Sequence, residues 1–518
     1  MKICILTAGR GSRIGSLCEN INKALLPINH KAIITQIIEK FNKSDTFVIG
    51  LGYKSDQVKR YLKIAHPERK FIFVNIKNYD GVRSGPGLSL LSCKKYLNEP
   101  FVFLPCDCNF LNKIKIESNK NWIGISKVPI NESDQYSNVL VKEGKVRKIR
   151  DKEKSPKNYY AFTGLTFIKD HELFWRGLKD EFLIQNEHQI SNGLKRLVKE
   201  SDLYVKKIKW QDMGTLKQFK DMQKQSKLKN IAKDNEFIYF INNKVIKFIA
   251  NEKIIKDKIT KSKIKPTFFP KSKQIEKNFY YYTFWDGDIF YNSGNPKLFK
   301  KLLNLLIQKF WTPYNVQINK MQRLCKIFYH DKTLSRIKLF FDTNPEYRLP
   351  KSINGITLPS LENLLEKIPW KTLYDGIPYF IHGDLNFSNI LYNKRTNKFL
   401  FIDWRQDFAG QIKFGDLYYD LAKLYAGITM NFNHIIQTQY KFVESGEKVT
   451  LSFKKWKNVD NYRKIFDEFI ISRGFDLKKI KILSGLTYLN MASLHPAPIN
   501  RILIIYGILM ISNGLEEK

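Results

Sequence analysis

The chain has 518 residues, with 88 Lys or Arg against 49 Asp or Glu, giving a formal charge of +39. That length exceeds what one hydrophobic core organises, so two or more domains are expected, and a 43% hydrophobic content with 37 Phe and 26 Tyr excludes a disordered chain. The positive field would draw nucleic acid, acidic membranes and anionic small molecules alike, but the cations are scattered from end to end without a nucleic-acid motif, so no specific nucleic-acid partner is expected.

Six cysteines, Cys4, Cys18, Cys93, Cys106, Cys108 and Cys325, follow neither a disulfide nor a zinc spacing and suit a reducing compartment. The opening residues lack the apolar length and small-residue cleavage site of a signal peptide. Residues 502–511 make only about half a membrane span and read as a buried terminal helix, so a cytoplasmic protein with no membrane span is expected.

From residue 1 to about 220, strands are predicted at 2–7, 46–50, 70–75, 101–105 and 122–126, with helices at 33–41, 55–64 and 88–96 between the earlier ones. This alternation predicts an α/β fold with a mostly parallel sheet, helices on both faces and ligands at the C-terminal strand ends. A Lys- and Gln-rich stretch at 223–234 then breaks the periodicity. The domains are therefore read as 1–225, a connector at 226–235, and 236–518. The second part opens on a predicted hairpin, 236–241 with 244–249 about Asn242-Asn243, because paired Asn tolerates a left-handed turn. The remainder is helix-rich, with one more hairpin near 390–402.

The first strand runs into Ala8-Gly9-Arg10-Gly11-Ser12-Arg13, with Lys23 ten residues later in Asn22-Lys23-Ala24-Leu25-Leu26-Pro27-Ile28. Glycines after a first strand let backbone N–H groups approach phosphates, and two cations can neutralise a triphosphate. A dinucleotide-binding turn is disfavoured, because Gly9-x-Gly11-x-x-x-Gly15 misplaces the third glycine. The segment resembles the signature of sugar-phosphate and choline-phosphate nucleotidyltransferases. Gly85-Pro86-Gly87-Leu88-Ser89 resembles that family's base-recognition loop, Leu104-Pro105-Cys106-Asp107 its strand-end metal aspartate, and Trp210-Gln211-Asp212 its second one. Asp151-Lys152 and the run from Asn158 to Leu165, which contains Gly164, are similar to its acceptor segment.

The resemblance implies a Rossmann-like nucleotidyltransferase domain. In it Ala8, Gly9, Gly11, Ser12, Gly85 and Gly87 would bind the nucleotide, and Arg13 and Lys23 would hold the departing pyrophosphate. Asp151, Lys152 and Gly164 would meet the acceptor, and Asp107 and Asp212 would hold Mg²⁺. CTP, UTP and dTTP remain open as the nucleotide. Cys106 and Cys108 flank Asp107, but a single Cys-x-Cys with no second pair reads as packing.

In the second part, His382-Gly383-Asp384-Leu385-Asn386-Phe387-Ser388-Asn389 is followed by Phe401-Ile402-Asp403-Trp404. An Asp five residues before an Asn, then a hairpin ending in another Asp, is an arrangement that kinases use. Asp384 would orient and deprotonate an acceptor hydroxyl, with Asn389 and Asp403 holding Mg²⁺ on ATP. The wording of these loops, with Gly415-Asp416-Leu417-Tyr418-Tyr419-Asp420-Leu421-Ala422 after them, resembles the aminoglycoside phosphotransferase/choline kinase family. That implies an α+β protein-kinase-like domain in which Lys247 fits the ATP-phosphate lysine and His382 braces the loop. The aromatic group Phe279 to Trp285 reads as a core strand before a cage for quaternary ammonium.

Together the two parts predict an enzyme that phosphorylates a sugar, choline or other alcohol with ATP and then joins the product to a nucleotide for surface polysaccharide or lipid decoration. The alternative is a nucleotidyltransferase with a catalytically silent kinase-like module, since neither a glycine-rich loop nor a helix glutamate is evident.

Overall fold

The computed structural model describes residues 1–111, 115–154, 156, 158–179, 183–184, 186–225 and 236–516. It divides into two units, Met1–Ala250 and Asn251–Lys518.

The first unit is built on a nine-stranded sheet. Its strands are β1 (Lys2–Leu6), β2 (Thr46–Leu51), β3 (Lys70–Asn75), β4 (Phe101–Pro105), β5 (Trp122–Ser126), β6 (Ser137–Lys142), β7 (Lys145–Asp151), β8 (Tyr159–Ile168) and β9 (Tyr204–Lys207). Their order across the sheet is β3-β2-β1-β4-β8-β5-β9-β7-β6. The first four strands pair in parallel, then β8 runs antiparallel between β4 and β5. Ile3, Cys4 and Ile5 on β1, and Phe101 to Leu104 on β4, are buried at successive positions. Such continuous apolar runs suit central strands covered on both faces.

The helices of this unit include α1 (Ile33–Ile38), α2 (Ser55–Ala65), α3 (Pro86–Ser92), α4 (His171–Leu178), α5 (Ser191–Glu200) and α6 (Leu216–Gln225). The helix expected at 88–96 is shorter, because Pro86 starts it early and it gives way to a 3-10 turn at Lys94–Tyr96.

The predicted hairpin is present as β10 (Glu236–Ile241) and β11 (Lys244–Ile249), with Asn242 and Asn243 both left-handed at φ 47° and 58°. It packs within the first unit. Tyr239 is buried and donates its hydroxyl to Leu25 O at 2.8 Å, and Asn242 Nδ2 donates to Ala65 O at 2.7 Å. The connector read at 226–235 lies outside the described residues.

The second unit is largely helical, with α7 (Glu252–Ser262), α8 (Lys332–Thr343), α9 (Leu417–Thr429), α10 (Leu477–Ala492) and α11 (Ile499–Glu516) among its helices. The hairpin expected near 390–402 pairs Ile390–Asn393 with Lys398–Phe401. Nearly every residue of α9 is buried, which makes it the central helix. Helices α10 and α11 meet through glycines: a Cβ on Gly507 would lie 3.0 Å from Gly485 O. By length and composition α11 is apolar enough to cross a membrane, and in the structure its Ile502, Leu503, Ile504, Ile505 and Ile511 lie in this unit's core.

Candidate active sites

In the first unit, Thr7 extends β1 by donating both its N–H and its hydroxyl to Gly50 O. The chain then turns through Gly11, left-handed at φ +72°, where a Cβ would sit 2.9 Å from Cys18 Sγ and 3.2 Å from Lys23 Cβ. Only glycine allows the loop to fold so closely onto Lys23. Asn22 fixes that lysine's backbone: its amide donates to Thr7 O at 3.0 Å and Tyr53 O at 2.6 Å, and its oxygen accepts from Ala24 N at 2.9 Å. Lys23 is buried, and its ammonium donates to Asp107 Oδ2 at 2.5 Å.

Asp107 follows β4. The next residues, Cys108–Phe110, pair antiparallel with Trp210–Asp212 in the register Cys108↔Asp212, and Met213 N donates to Asp107 O at 3.0 Å. This ribbon brings together two carboxylates that lie 105 positions apart in sequence (212 − 107). Asp212 is fixed by Gly214 N at 3.0 Å, Tyr136 Oη at 3.1 Å and Gln218 Nε2 at 3.4 Å. Arg13 reaches the same place, since a Cβ on Gly214 would lie 3.4 Å from its Nη2.

Burial alone would raise the Asp107 carboxyl, but Lys23 and then Arg13 hold it below its ordinary value. Asp212 is raised, by burial first and then by the charge of Asp107. Two such carboxylates fit a Mg²⁺ ion, which takes one or two carboxylates and completes its shell with substrate phosphates and water. Among the described residues no cluster of three or more His, Cys, Asp or Glu offers a closed metal cage. The flanking thiols are not ligands of that kind: burial pushes Cys106 up to about 12, and Cys108 Sγ donates to Thr163 O at 2.9 Å.

The other candidates of this unit fall in two places. Ala8, Gly9 and Ser12 lie on the loop with Gly11 and Arg13, Ser12 opening a short 3-10 turn, Ser12–Ile14. Gly85 and Gly87 back onto His188: a Cβ on Gly85 would lie 2.7 Å from its carbonyl oxygen, and one on Gly87 would strike its ring. Beside His188, Glu187 accepts from Lys152 Nζ at 3.0 Å and from Gln189 Nε2 at 2.8 Å. Asp151 is buried and accepts from Ser137 Oγ and Lys195 Nζ, both at 2.7 Å, so it anchors the end of β7. Gly164, at φ +88°, packs on Pro105, where a Cβ would lie 2.6 Å from Cδ. Tyr136, Gln218, Glu187 and Lys195 were not singled out from sequence, because single polar residues in loops and on helix faces carry no local signal.

In the second unit, His382 is fully buried and organises the loop. Its Nδ1 accepts from Asp384 N at 3.2 Å, so Nε2 carries the proton that meets Ile402 O at 3.0 Å. That bond ties the Asp384 loop to the strand leading into Asp403. Burial pushes the imidazole down to about 3, so it stays neutral. The backbone N–H groups of His382 and Gly383 both donate at 2.7 Å to Asp420, which also accepts from Trp311 Nε1 at 3.0 Å.

Asn389 Nδ2 donates to Asp384 O at 2.9 Å and Oδ2 at 3.2 Å, leaving its amide oxygen for a cation. Ile402 N donates to Asn389 O at 2.9 Å, which sets Asp403, left-handed at φ 57°, beside Asn389. A carboxylate and an amide oxygen fit Mg²⁺ carried on ATP phosphates. Helix α7 meets these loops with lysines. Lys261 Nζ donates to Arg405 O at 2.8 Å and Lys258 Nζ to Trp404 O, while Glu252 pairs with Lys256 on its own helix. Lys247 is buried on β11. Phe279, Tyr280 and Tyr282 are buried on the strand Phe279–Thr283, which makes them core.

Lys423 was not anticipated from sequence. One helical turn after Asp420 on α9, it is nearly buried and places Nζ 2.7 Å from Asp384 Oδ1.

Residues 3–118 match the MobA-like NTP transferase domain, and residues 347–446 match the phosphotransferase enzyme family. The chain joins an NTP transferase domain to a phosphotransferase domain. It is 27% identical over 220 residues to the bifunctional protein GlmU of Methanocaldococcus jannaschii, a match covering 41% of this chain and 51% of that protein. It is also 27% identical over 149 residues to the D-glycero-alpha-D-manno-heptose 1-phosphate guanylyltransferase of Campylobacter jejuni, covering 28% of this chain and 64% of that one. The chain thus spans about half the length of the GlmU relatives it matches. Among solved structures, a UDP-glucose pyrophosphorylase complexed with UDP-glucose is similar at 20% identity and a TM-score of 0.38, covering 43% of this chain and 97% of that one.

Proposed function

We propose that the chain catalyses two successive transfers: ATP-dependent phosphorylation of a small-molecule hydroxyl, then nucleotidyl transfer to the phosphate so formed. The meeting of Asp107 and Asp212 beside Lys23 and Arg13 supports the second step most strongly. There an oxygen of the acceptor phosphate attacks the α-phosphorus of an NTP, the bond to the bridging oxygen breaks, and pyrophosphate leaves toward Arg13 and Lys23. Lys152 and Glu187, beside Gly85 and Gly87, would orient the acceptor. In the first step Asp384 receives the acceptor hydroxyl's proton as its oxygen attacks the γ-phosphorus and ADP leaves. Asp107 with Asp212, and Asn389 with Asp403, would hold Mg²⁺, which when bound screens the phosphate charges.

The nucleotide is CTP, UTP or dTTP on the sequence reading, and the guanylyltransferase among the relatives adds GTP to the set to be tried. The product serves as an activated donor for surface glycan or lipid decoration, made in the cytoplasm. A second reading, a silent phosphotransferase module, is favoured by the lysines that α7 sets against the catalytic loop where a kinase presents a helix glutamate. Incubation with each NTP and a library of phosphorylated sugars and alcohols, scoring pyrophosphate, tests the first reading. ATP consumption with the unphosphorylated alcohols separates it from the second.

A further inference from the structure

The wall of the phosphotransfer loop that faces α8 and α9 is cationic. The ring of Phe328 carries two positive charges, Lys332 Nζ at 3.9 Å from its centroid and Arg405 Cζ at 4.9 Å. Lys332 also lies 5.8 Å from the ring of Tyr419, one turn before Lys423 on α9. Lys423 in turn grips Asp384 at 2.7 Å, and Arg405 is held to the loop by the close approach of its Cβ to Gly383. Arg336, one turn after Lys332 on α8, completes the group.

Lys423 thus pairs with Asp384, and Lys332, Arg336 and Arg405 stand close enough to act on one another. Arg405 Nε donates to a backbone carbonyl, Asp407 O at 3.1 Å, and Asp384 is the acidic group that acts on Lys332. Burial first, and then Arg405, Lys423 and Arg336, hold the Lys332 ammonium well below its ordinary value against the pull of Asp384. Assembling four cations in a half-buried wall beside Asp384 costs stability unless further negative charge joins them. Aromatic faces under Lys332 and Arg405 offset part of that cost without supplying a counter-charge.

We propose that the alcohol presented to Asp384 carries its own anionic group, a carboxylate or a phosphate, and that Lys332, Arg336 and Arg405 receive it. This rests on the phosphotransfer reading above. An acceptor with an ammonium, such as choline or an amino sugar, would meet repulsion from the same wall. The chemistry at the hydroxyl is unchanged: a new bond forms from its oxygen to the γ-phosphorus, the bond to the β–γ bridging oxygen breaks, ADP departs, and the proton passes to Asp384. The product then bears two anionic groups, one for nucleotidyl transfer and one already recognised.

The test uses the full chain with ATP and Mg²⁺ and four acceptors: D-glycerate, glycerol 3-phosphate, glycerol and choline. One of the two anionic alcohols should exceed glycerol and choline by about tenfold or more in kcat/KM, and which one it is separates carboxylate from phosphate. Lys332→Gln and Arg336→Gln should each raise KM for that acceptor by about tenfold while leaving KM for ATP within about twofold. Preference for glycerol or choline overturns the proposal. So does an equal fall in kcat for every acceptor without a change in KM, which would assign the cations to the transferred phosphoryl group. If no acceptor consumes ATP, the phosphotransfer reading fails by itself, and calorimetry with D-glycerate and glycerol 3-phosphate on the ADP- and Mg²⁺-loaded protein decides the inference. Binding that is lost in Arg336→Gln sustains it, and absence of binding overturns it.

Discussion

Lys23 holds Asp107 ionised through a 2.5 Å contact, and burial first, then the charge so fixed, pushes the neighbouring Asp212 carboxyl upward. Asp212 therefore protonates more readily than an ordinary aspartate as the solution is acidified. Affinity for Mg²⁺ should weaken as pH falls, because the cation needs both carboxylates ionised. Titrating pyrophosphate release with Mg²⁺ at several pH values should show the half-saturating concentration rising toward acid. Asp107→Asn and Asp212→Asn should each lose about 10²-fold or more in rate. Unchanged turnover in both would remove the metal assignment.

The two sites sit in separate units, so their losses should separate too. Asp384→Asn should cut ATP-dependent phosphorylation by about 10²-fold or more, the scale of a positioned proton acceptor. Pyrophosphate release from a ready-made phosphate should survive in the same protein. Asp403→Asn should behave likewise, and Arg13→Ala should give the opposite pattern. A folded Asp384→Asn protein that had lost both activities would require one shared or linked site.

Much of this was legible in the sequence because the relevant residues sit on short motifs. The glycine turn before Arg13, the Asp107 strand end and the Asp384-to-Asn389 spacing each compress a backbone requirement into a few positions. The Asn242-Asn243 turn was legible for the same reason, since both residues must be left-handed. What escaped were partners contributed from far along the chain. Tyr136 and Gln218 reach Asp212 from a loop and a helix face. Lys423 reaches Asp384 only because Asp420, one turn earlier, already grips the same loop. Nor does a predicted strand pair announce what it will pack on, so the bond from Tyr239 to Leu25 O had no local signal.

His382 is neutral in the fold and held there by burial, with its ring pushed down to about 3. In the unfolded chain it protonates near its ordinary value of about 6.5. The unfolded state thus takes up the proton first, and the stabilisation present above about pH 6.5 is lost as pH falls toward 3. At pH 5 this amounts to about 2 kcal/mol relative to pH 8. The unfolding transition of the second unit should show that loss, and His382→Asn should flatten it. Ring resonances should report one neutral tautomer, protonated on Nε2, from pH 8 to 5. A ring that titrates near 6 in the folded protein would contradict the bracing role.

The hairpin β10–β11 gives a prediction about where the nucleotidyltransferase part ends. Tyr239 is fully buried, its ring lies 5.0 Å from that of Tyr61 on α2, and its hydroxyl bonds Leu25 O, two residues from Lys23. Lys244 Nζ adds a bond to Ile64 O at 3.0 Å, at the end of the same helix. A chain stopped at Gln225 would leave Tyr61 and the Lys23-to-Leu25 turn uncovered, while one stopped at Ala250 keeps the cover. Burial of a large apolar side chain is worth ~1.5–3 kcal/mol, so losing Tyr239 together with Phe237 and Ile241 should cost several kcal/mol. For a unit of this size the corresponding drop in Tm is on the order of 10 °C. Thermal melts of chains 1–225 and 1–250 measure it directly, and pyrophosphate release by 1–250 shows whether the active turn survives. Equal melting temperatures and equal activity for the two would mean that the hairpin contributes nothing to the fold on which Lys23 depends.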